Sequence, residues 1–141
     1  MYSQKMKNVY YLDSNICIFY LRNPEGVLAQ KIISIDPECI KLSAIVKAEL
    51  LVGAFKSARR DENLKQVLNF CDSFEIVPFD DSLTVTYGKM QARLELQGMK
   101  IGFNDTLIAA TVLAHNGILV TNNTKEFSRV DGLTLEDWTQ E

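Results

Sequence analysis

Four short apolar runs, Val9–Leu12, Cys39–Leu42, Phe74–Phe79 and Ile118–Thr121, are separated by stretches whose apolar residues recur every three or four positions. Runs of this length suit buried strands, and the longer period suits helices. Strands that alternate with helices predict an α/β fold, with a central, mostly parallel sheet between two helical layers (α/β/α). The pattern predicts helices over Asn15–Leu21, Gly26–Ile35, Ala44–Ser57, Asp61–Phe70, Ser82–Gln97 and Asp105–His115. Ser43 and Asn104 stand where N-caps are needed, and Gly98 and Gly117 where helices close. Pro78 marks the end of its strand or a sheet edge. The apolar face of the Ala44–Ser57 helix reads as Ile45, Ala48, Val52 and Phe55.

At 141 residues, the chain is expected to form one domain, 1–141, with its ordered pattern starting near residue 8 and Met6 as an alternative start to Met1. A composition 47% hydrophobic and 23% charged excludes a disordered class. The net charge of −3 argues against a basic nucleic-acid coat but leaves room for a local basic patch. There is a single histidine, His115, which excludes a two-histidine acid–base pair or a His-rich zinc site. Its place at a helix end suits a residue favoured by the helix dipole. Cys17, Cys39 and Cys71 are odd in number, lack a CxxC pair and sit among apolar neighbours, which reads as buried free thiols in a reducing cytoplasm. No apolar run approaches the roughly 20 residues that span a bilayer, and no signal peptide precedes the pattern, so the expected location is cytoplasmic with no membrane partner.

In parallel α/β folds, ligands bind beyond the carboxyl ends of the strands. Asp13 ends the first strand, Asp105 opens a helix, Glu49 interrupts the most apolar helix, and Asn122, Asn123 and Glu126 follow the last strand. Oxygen donors converging from separate elements are what Mg²⁺ or Mn²⁺ requires. Without an ion, such carboxylates repel and raise one another's pKa. Each residue also has a plainer reading. Asp13 suits a helix cap and Asp105 suits a helix N-terminus. Glu49 is within pairing range of Lys47 or Lys56 in sequence, and Asn123-x-x-Glu126 has the spacing of a capping box.

Four segments together resemble a known family. Leu12-Asp13-Ser14-Asn15-Ile16 resembles the opening motif of PIN-domain ribonucleases, and Ser43–Gly53 their second motif with its inward glutamate. Gly102–Ala110 resembles their third, and Leu119–Phe127 with Gly132-Leu133 and Asp137-Trp138 their closing segment. In detail the chain is similar to the VapC toxins of bacterial type II toxin–antitoxin pairs, from about Tyr11 to Trp138. The resemblance implies a PIN-like fold and a metal site formed by Asp13, Glu49, Asp105 and Glu126. Many PIN domains place an aspartate where this chain has Asn123, which leaves Asn123 as a weaker ligand. Ser14, Asn15 and Thr121 would support the ligands from behind.

With one histidine, a metal-activated water is the expected source of the nucleophile for phosphodiester cleavage. The resemblance implies Mg²⁺-dependent cutting of structured RNA, tRNA or rRNA, to give a 5′-phosphate and a 3′-hydroxyl. It also implies a homodimer and a small VapB-like antitoxin that enters the active-site groove. Lys47, Lys100 and Lys125 are the candidate RNA contacts. Phe70 and Tyr87 are expected to be exposed and to serve the protein contacts. Two rivals remain: a PIN nuclease of housekeeping RNA processing, and a non-catalytic signalling or binding module such as a phospho-accepting receiver. A receiver usually shows an acidic pair after the first strand, where this chain has Asp13-Ser14-Asn15.

Overall fold

The computed structural model describes residues 7–140, so the choice between Met1 and Met6 lies outside the described residues. Five strands, β1 (Tyr10–Leu12), β2 (Ile40–Ser43), β3 (Glu75–Val77), β4 (Ile118–Val120) and β5 (Thr134–Glu136), form one sheet in the order β3-β2-β1-β4-β5. Every neighbouring pair is parallel. Successive residues of a strand face opposite sides of a sheet. Tyr11 and Leu12 in β1, and Leu119 and Val120 in β4, are all buried, so helices cover both faces as the alternating pattern predicts.

The helices are α1 (Ser14–Arg22), α2 (Val27–Ser34), α3 (Ala44–Lys56), α4 (Arg60–Asp72), α5 (Thr84–Leu96), α6 (Phe103–Ala114) and a single turn, α7 (Thr124–Phe127). Ser43 caps α3, its Oγ accepting from the Val46 amide at 3.1 Å. Gly98 follows the end of α5 with φ +66°, a backbone state that glycine adopts without strain. β3 stops before Pro78 at the sheet edge. His115 ends α6 as its cap residue, with ring Nδ1 2.8 Å from the Thr111 carbonyl oxygen.

Several expectations are corrected. α7 and β5 carry too little apolar periodicity to stand out, and tertiary pairing with β4 makes β5 a strand. Asn104 lies inside α6, and Gly102 is the N-cap. After α6 the left-handed turn is taken by Asn116 (φ 54°), whereas Gly117 is needed because a Cβ there would stand 2.5 Å from the Tyr11 ring. α3 buries Val46, Leu50 and Ala54, while Val52 and Phe55 are each 57% exposed. The buried set follows the i, i+4, i+8 row that faces the sheet and α4. Phe70 is buried against Tyr20 and Phe74, and Tyr87 is half-buried against Phe79, so neither is the exposed surface expected. Cys17 and Cys71 are buried free thiols, but Cys39 is half-buried. Among the described residues, no helix is long and apolar enough to cross a membrane.

Candidate active site

The site is built where the two central strands end. The Asp13 amide donates to the Val120 carbonyl at 2.9 Å, which extends the β1–β4 pairing by one residue. That step sets Asp13 beside Thr121, whose Oγ1 donates to Asp13 Oδ2 at 2.8 Å. The Ser14 amide donates to Asp13 Oδ1, also at 2.8 Å, so Asp13 is the cap of α1 while lying at the strand end. The cap reading of Asp13 therefore holds, at the strand end where the sequence placed it. Thr121 Oγ1 in turn accepts from the Asn123 amide at 3.0 Å, which fixes the turn that leads into α7. Thr121 is fully buried, and its own amide donates to the Glu136 carbonyl of β5.

Glu49 reaches the same place from α3. Its Oε1 accepts from Ser14 Oγ at 2.6 Å and its Oε2 from Asn104 Nδ2 at 3.4 Å. Among the described residues, Glu49 forms no ion pair with Lys47 or Lys56. Lys47 instead places its charge near Cys71 of α4. Asp105 projects from the first turn of α6. Glu126 approaches from α7: its Oε1 accepts from the Gly102 amide at 2.8 Å and its Oε2 from Asn123 Nδ2 at 3.1 Å. The Asn123 side chain makes no capping bond, so the capping box is absent. A Cβ on Gly102 would lie 3.6 Å from Asp105 Oδ2 and 3.9 Å from Glu126 Oε1, so the two carboxylates converge over this glycine.

The acids sense one another. Burial, reinforced by the charges of Asp13, Glu126 and Glu49, pushes the Asp105 carboxyl up to about 6. Burial also raises Asp13, against the opposing hydrogen bonds from Thr121 and Ser14. Glu126 moves the other way. The Gly102 amide and then Asn123 hold it below the usual glutamate value, so the expected mutual strain does not extend to all four acids.

The donor set is oxygen only, which suits a hard divalent cation. Among the described residues no three acids are drawn together tightly enough to enclose an ion as they stand; Ser14 and Asn104 donate to Glu49, and Gly102 and Asn123 to Glu126. A cation competes for those same lone pairs and would also offset the burial and neighbouring negative charge that raise Asp105. The site therefore fits a metal bound by exchange for these hydrogen bonds. Asn15 is exposed on α1, Lys100 on the loop before α6 and Lys125 on α7 beside Glu126. Sequence reasoning missed Asn104, read as a cap, and Gly102, whose amide anchors Glu126. Sequence reasoning also gives no structural role to Arg129, whose Nη1 donates to the Lys100 carbonyl at 2.5 Å and ties the 98–102 loop to the segment after α7.

Comparison with known proteins decides the family. Residues 10–133 match the PIN domain. Ribonuclease VapC2 of Rickettsia felis is 38% identical over 131 residues, covering 92% of this chain and 98% of the relative. The chain belongs to the PIN-domain family, among the VapC ribonucleases. A tRNA(fMet)-specific endonuclease VapC of Shigella flexneri is 36% identical over 127 residues, 90% of this chain and 96% of the relative. The PIN fold superimposes on VapBC2 from Rickettsia felis, bound to a DNA fragment from their promoter, with TM-score 0.86, 36% identity and 92% and 98% of the two chains covered. For DNA-bound VapBC from Salmonella typhimurium the values are 0.88, 30%, 94% and 99%. Membership makes the chain an endoribonuclease, as the four motifs imply, and sets aside the signalling module.

Proposed function

We propose that this single-domain chain is a cytoplasmic toxin that cuts structured RNA and that a small VapB-like antitoxin restrains it. The carrying observation is the convergence of Asp105 and Glu126 over Gly102, with Asp13 and Glu49 linked through Ser14 and close enough to act on the Asp105 carboxyl. Those four would hold Mg²⁺, or Mn²⁺ in its place, with Asn123 as a weaker oxygen donor. Such an ion, when bound, acidifies a water and offsets the charge that builds on the phosphate. The chain's own contribution is orientation. Thr121 and the Ser14 amide fix Asp13, Ser14 and Asn104 aim Glu49, and the Gly102 amide sets Glu126. Lys100 and Lys125 flank the acids and are placed to meet RNA phosphates.

The Shigella relative's name supports a tRNA as substrate, and the VapBC assemblies support the antitoxin. A cavity of about 260 Å³ between α1, α3 and α4, lined by Ile18, Leu21, Leu50 and Val67 and bordered by Glu49, offers the antitoxin a seat beside the acids. Exposed Val52 and Phe55 on α3 and Val85 and Leu96 on α5 are available for a homodimer. The test is incubation of the purified protein with tRNA and rRNA, with Mg²⁺ or EDTA. The expected result is Mg²⁺-dependent cuts with 5′-phosphate and 3′-hydroxyl ends, together with growth arrest that the adjacent small gene relieves. Cleavage that persists in EDTA removes the metal site, and expression without growth arrest favours a processing nuclease.

A further inference from the structure

Phe103 is the first residue of α6 and is 71% exposed. It has no aromatic partner among the described residues and lies outside the apolar core. Phe103 lines an open, shallow cleft with Glu49, Gly102, Asn104 and Asp105, and among the described residues it is the one strongly exposed large apolar residue there. The backbone beneath it is fixed: Thr106 Oγ1 donates to the Phe103 carbonyl at 2.7 Å, and the Thr106 amide to the Gly102 carbonyl at 3.0 Å. The ring is thus presented from a rigid turn, two residues from Asp105.

We infer that Phe103 is the platform on which an unpaired base of the RNA stacks beside the scissile phosphate. This rests on the ribonuclease reading above and adds how the site selects where to cut. A nucleotide is divided into an anionic phosphate and a flat, largely apolar base. The cleft is divided in the same way, with the acids that call for a cation on one side and a bare ring at the lip. A phosphate held beside the acids by the cation they would bind carries its base to the ring. Phenylalanine offers a π-face and no hydrogen bond, so it accepts any base but only one that is unpaired and splayed out. The cut is thereby confined to loops and bulges, and base identity must be read elsewhere.

The experiment uses the full chain and an RNA stem–loop carrying 2-aminopurine at each loop position in turn. Binding is read in an Asp105→Asn background and cleavage in the parent. The expected result is quenching at one position next to the cut site. Phe103→Ala abolishes that quenching and raises KM about tenfold, equivalent to about 1.4 kcal/mol, with kcat nearly unchanged. Phe103→Trp restores both. Making that nucleotide abasic costs the parent the same factor and costs Phe103→Ala nothing more. Quenching and KM unmoved by Phe103→Ala, or losses that simply add, overturn the stacking role. A Phe103→Ala effect confined to self-association or antitoxin binding overturns it too, by assigning the ring to a protein contact. If the parent cuts no RNA in Mg²⁺, the ribonuclease reading fails and this inference with it; if the parent cuts and Phe103→Ala matches it, only this inference fails.

Discussion

Ser14 Oγ donates to Glu49 Oε1 across 2.6 Å, joining the first residue of α1 to the middle of α3. The same residue's amide holds Asp13. One serine therefore sets the spacing of two acids that lie 36 positions apart in the chain. Ser14→Ala keeps the amide bond and loses the hydroxyl, leaving Glu49 only the longer contact to Asn104. Groups that orient metal ligands are typically worth 10–100-fold. We expect Ser14→Ala to fold normally and to need roughly tenfold more Mg²⁺ for half-maximal cleavage, with Ser14→Thr close to the parent. A Mg²⁺ titration of cleavage rate checks this, and an unshifted curve sinks it.

Asp105 carries the clearest pH signature. Its carboxyl is raised to about 6 in the folded chain, so the folded state holds a proton that the unfolded state has released. This group's contribution is fully present below about pH 4 and is lost as pH rises through 6. Metal-free protein should therefore lose stability from this group across pH 4–6. Asp105→Asn should flatten that decline and melt a few degrees higher in EDTA near pH 7, since about 1 kcal/mol remains after discounting for solvent screening. The same variant should lose RNA cleavage. Thermal melts in EDTA across this range decide the point, and parallel curves for the two proteins would contradict it.

Glu126 should behave in the opposite sense. Hydrogen bonds from the Gly102 amide and Asn123 favour its charged form, so its contribution is present above the unfolded value and fades as pH falls through the folded one. Glu126→Gln should accordingly leave the metal-free melting temperature unchanged or lower it, while abolishing most Mg²⁺-dependent cleavage and the Mg²⁺-induced rise in melting temperature. Asn123→Ala should retain much of both. Should Glu126→Gln cleave normally, the fourth ligand is Asn123 or the site has only three acids.

Thr121→Val tests the buried support. The substitution keeps the shape and strips the donor to Asp13 and the acceptor for the Asn123 amide, leaving buried polar groups unpaired. The cost should be about 1–3 kcal/mol of stability, with cleavage reduced as Asp13 drifts. Thr121→Ser should rescue activity more than stability. Urea unfolding of both variants beside cleavage assays separates the two effects, and a Thr121→Val protein with full activity would show that Asp13 needs no such hold.

Much of this site is legible in one dimension. Asp13, Glu49 and Asp105 stand out because an acid at a strand end or in an apolar helix breaks a pattern. The four longer strand signals are legible for the same reason, since apolar runs bounded by polar residues carry their own period. What is not legible depends on partners distant in sequence. Thr134–Glu136 is a strand because β4 lies beside it, not because of its residues. Asn104 reads as a cap until Glu49, 55 positions away, is seen to accept its amide. Gly102 is informative only once a Cβ is imagined between two carboxylates. The opposite shifts arise from burial and neighbouring charge at Asp105 and from hydrogen-bond donors at Glu126, and sequence carries no direct record of either.

The chain order has a consequence for its synthesis. Thr121, which holds Asp13, is itself anchored to the Glu136 carbonyl of β5, the last strand to be made. Asp13 emerges from the ribosome early and waits for its support until nearly everything else has followed. The hold on an acid near one end of the chain thus runs through a strand near the other, so the active-site geometry and the pairing of β5 are parts of one long-range closure.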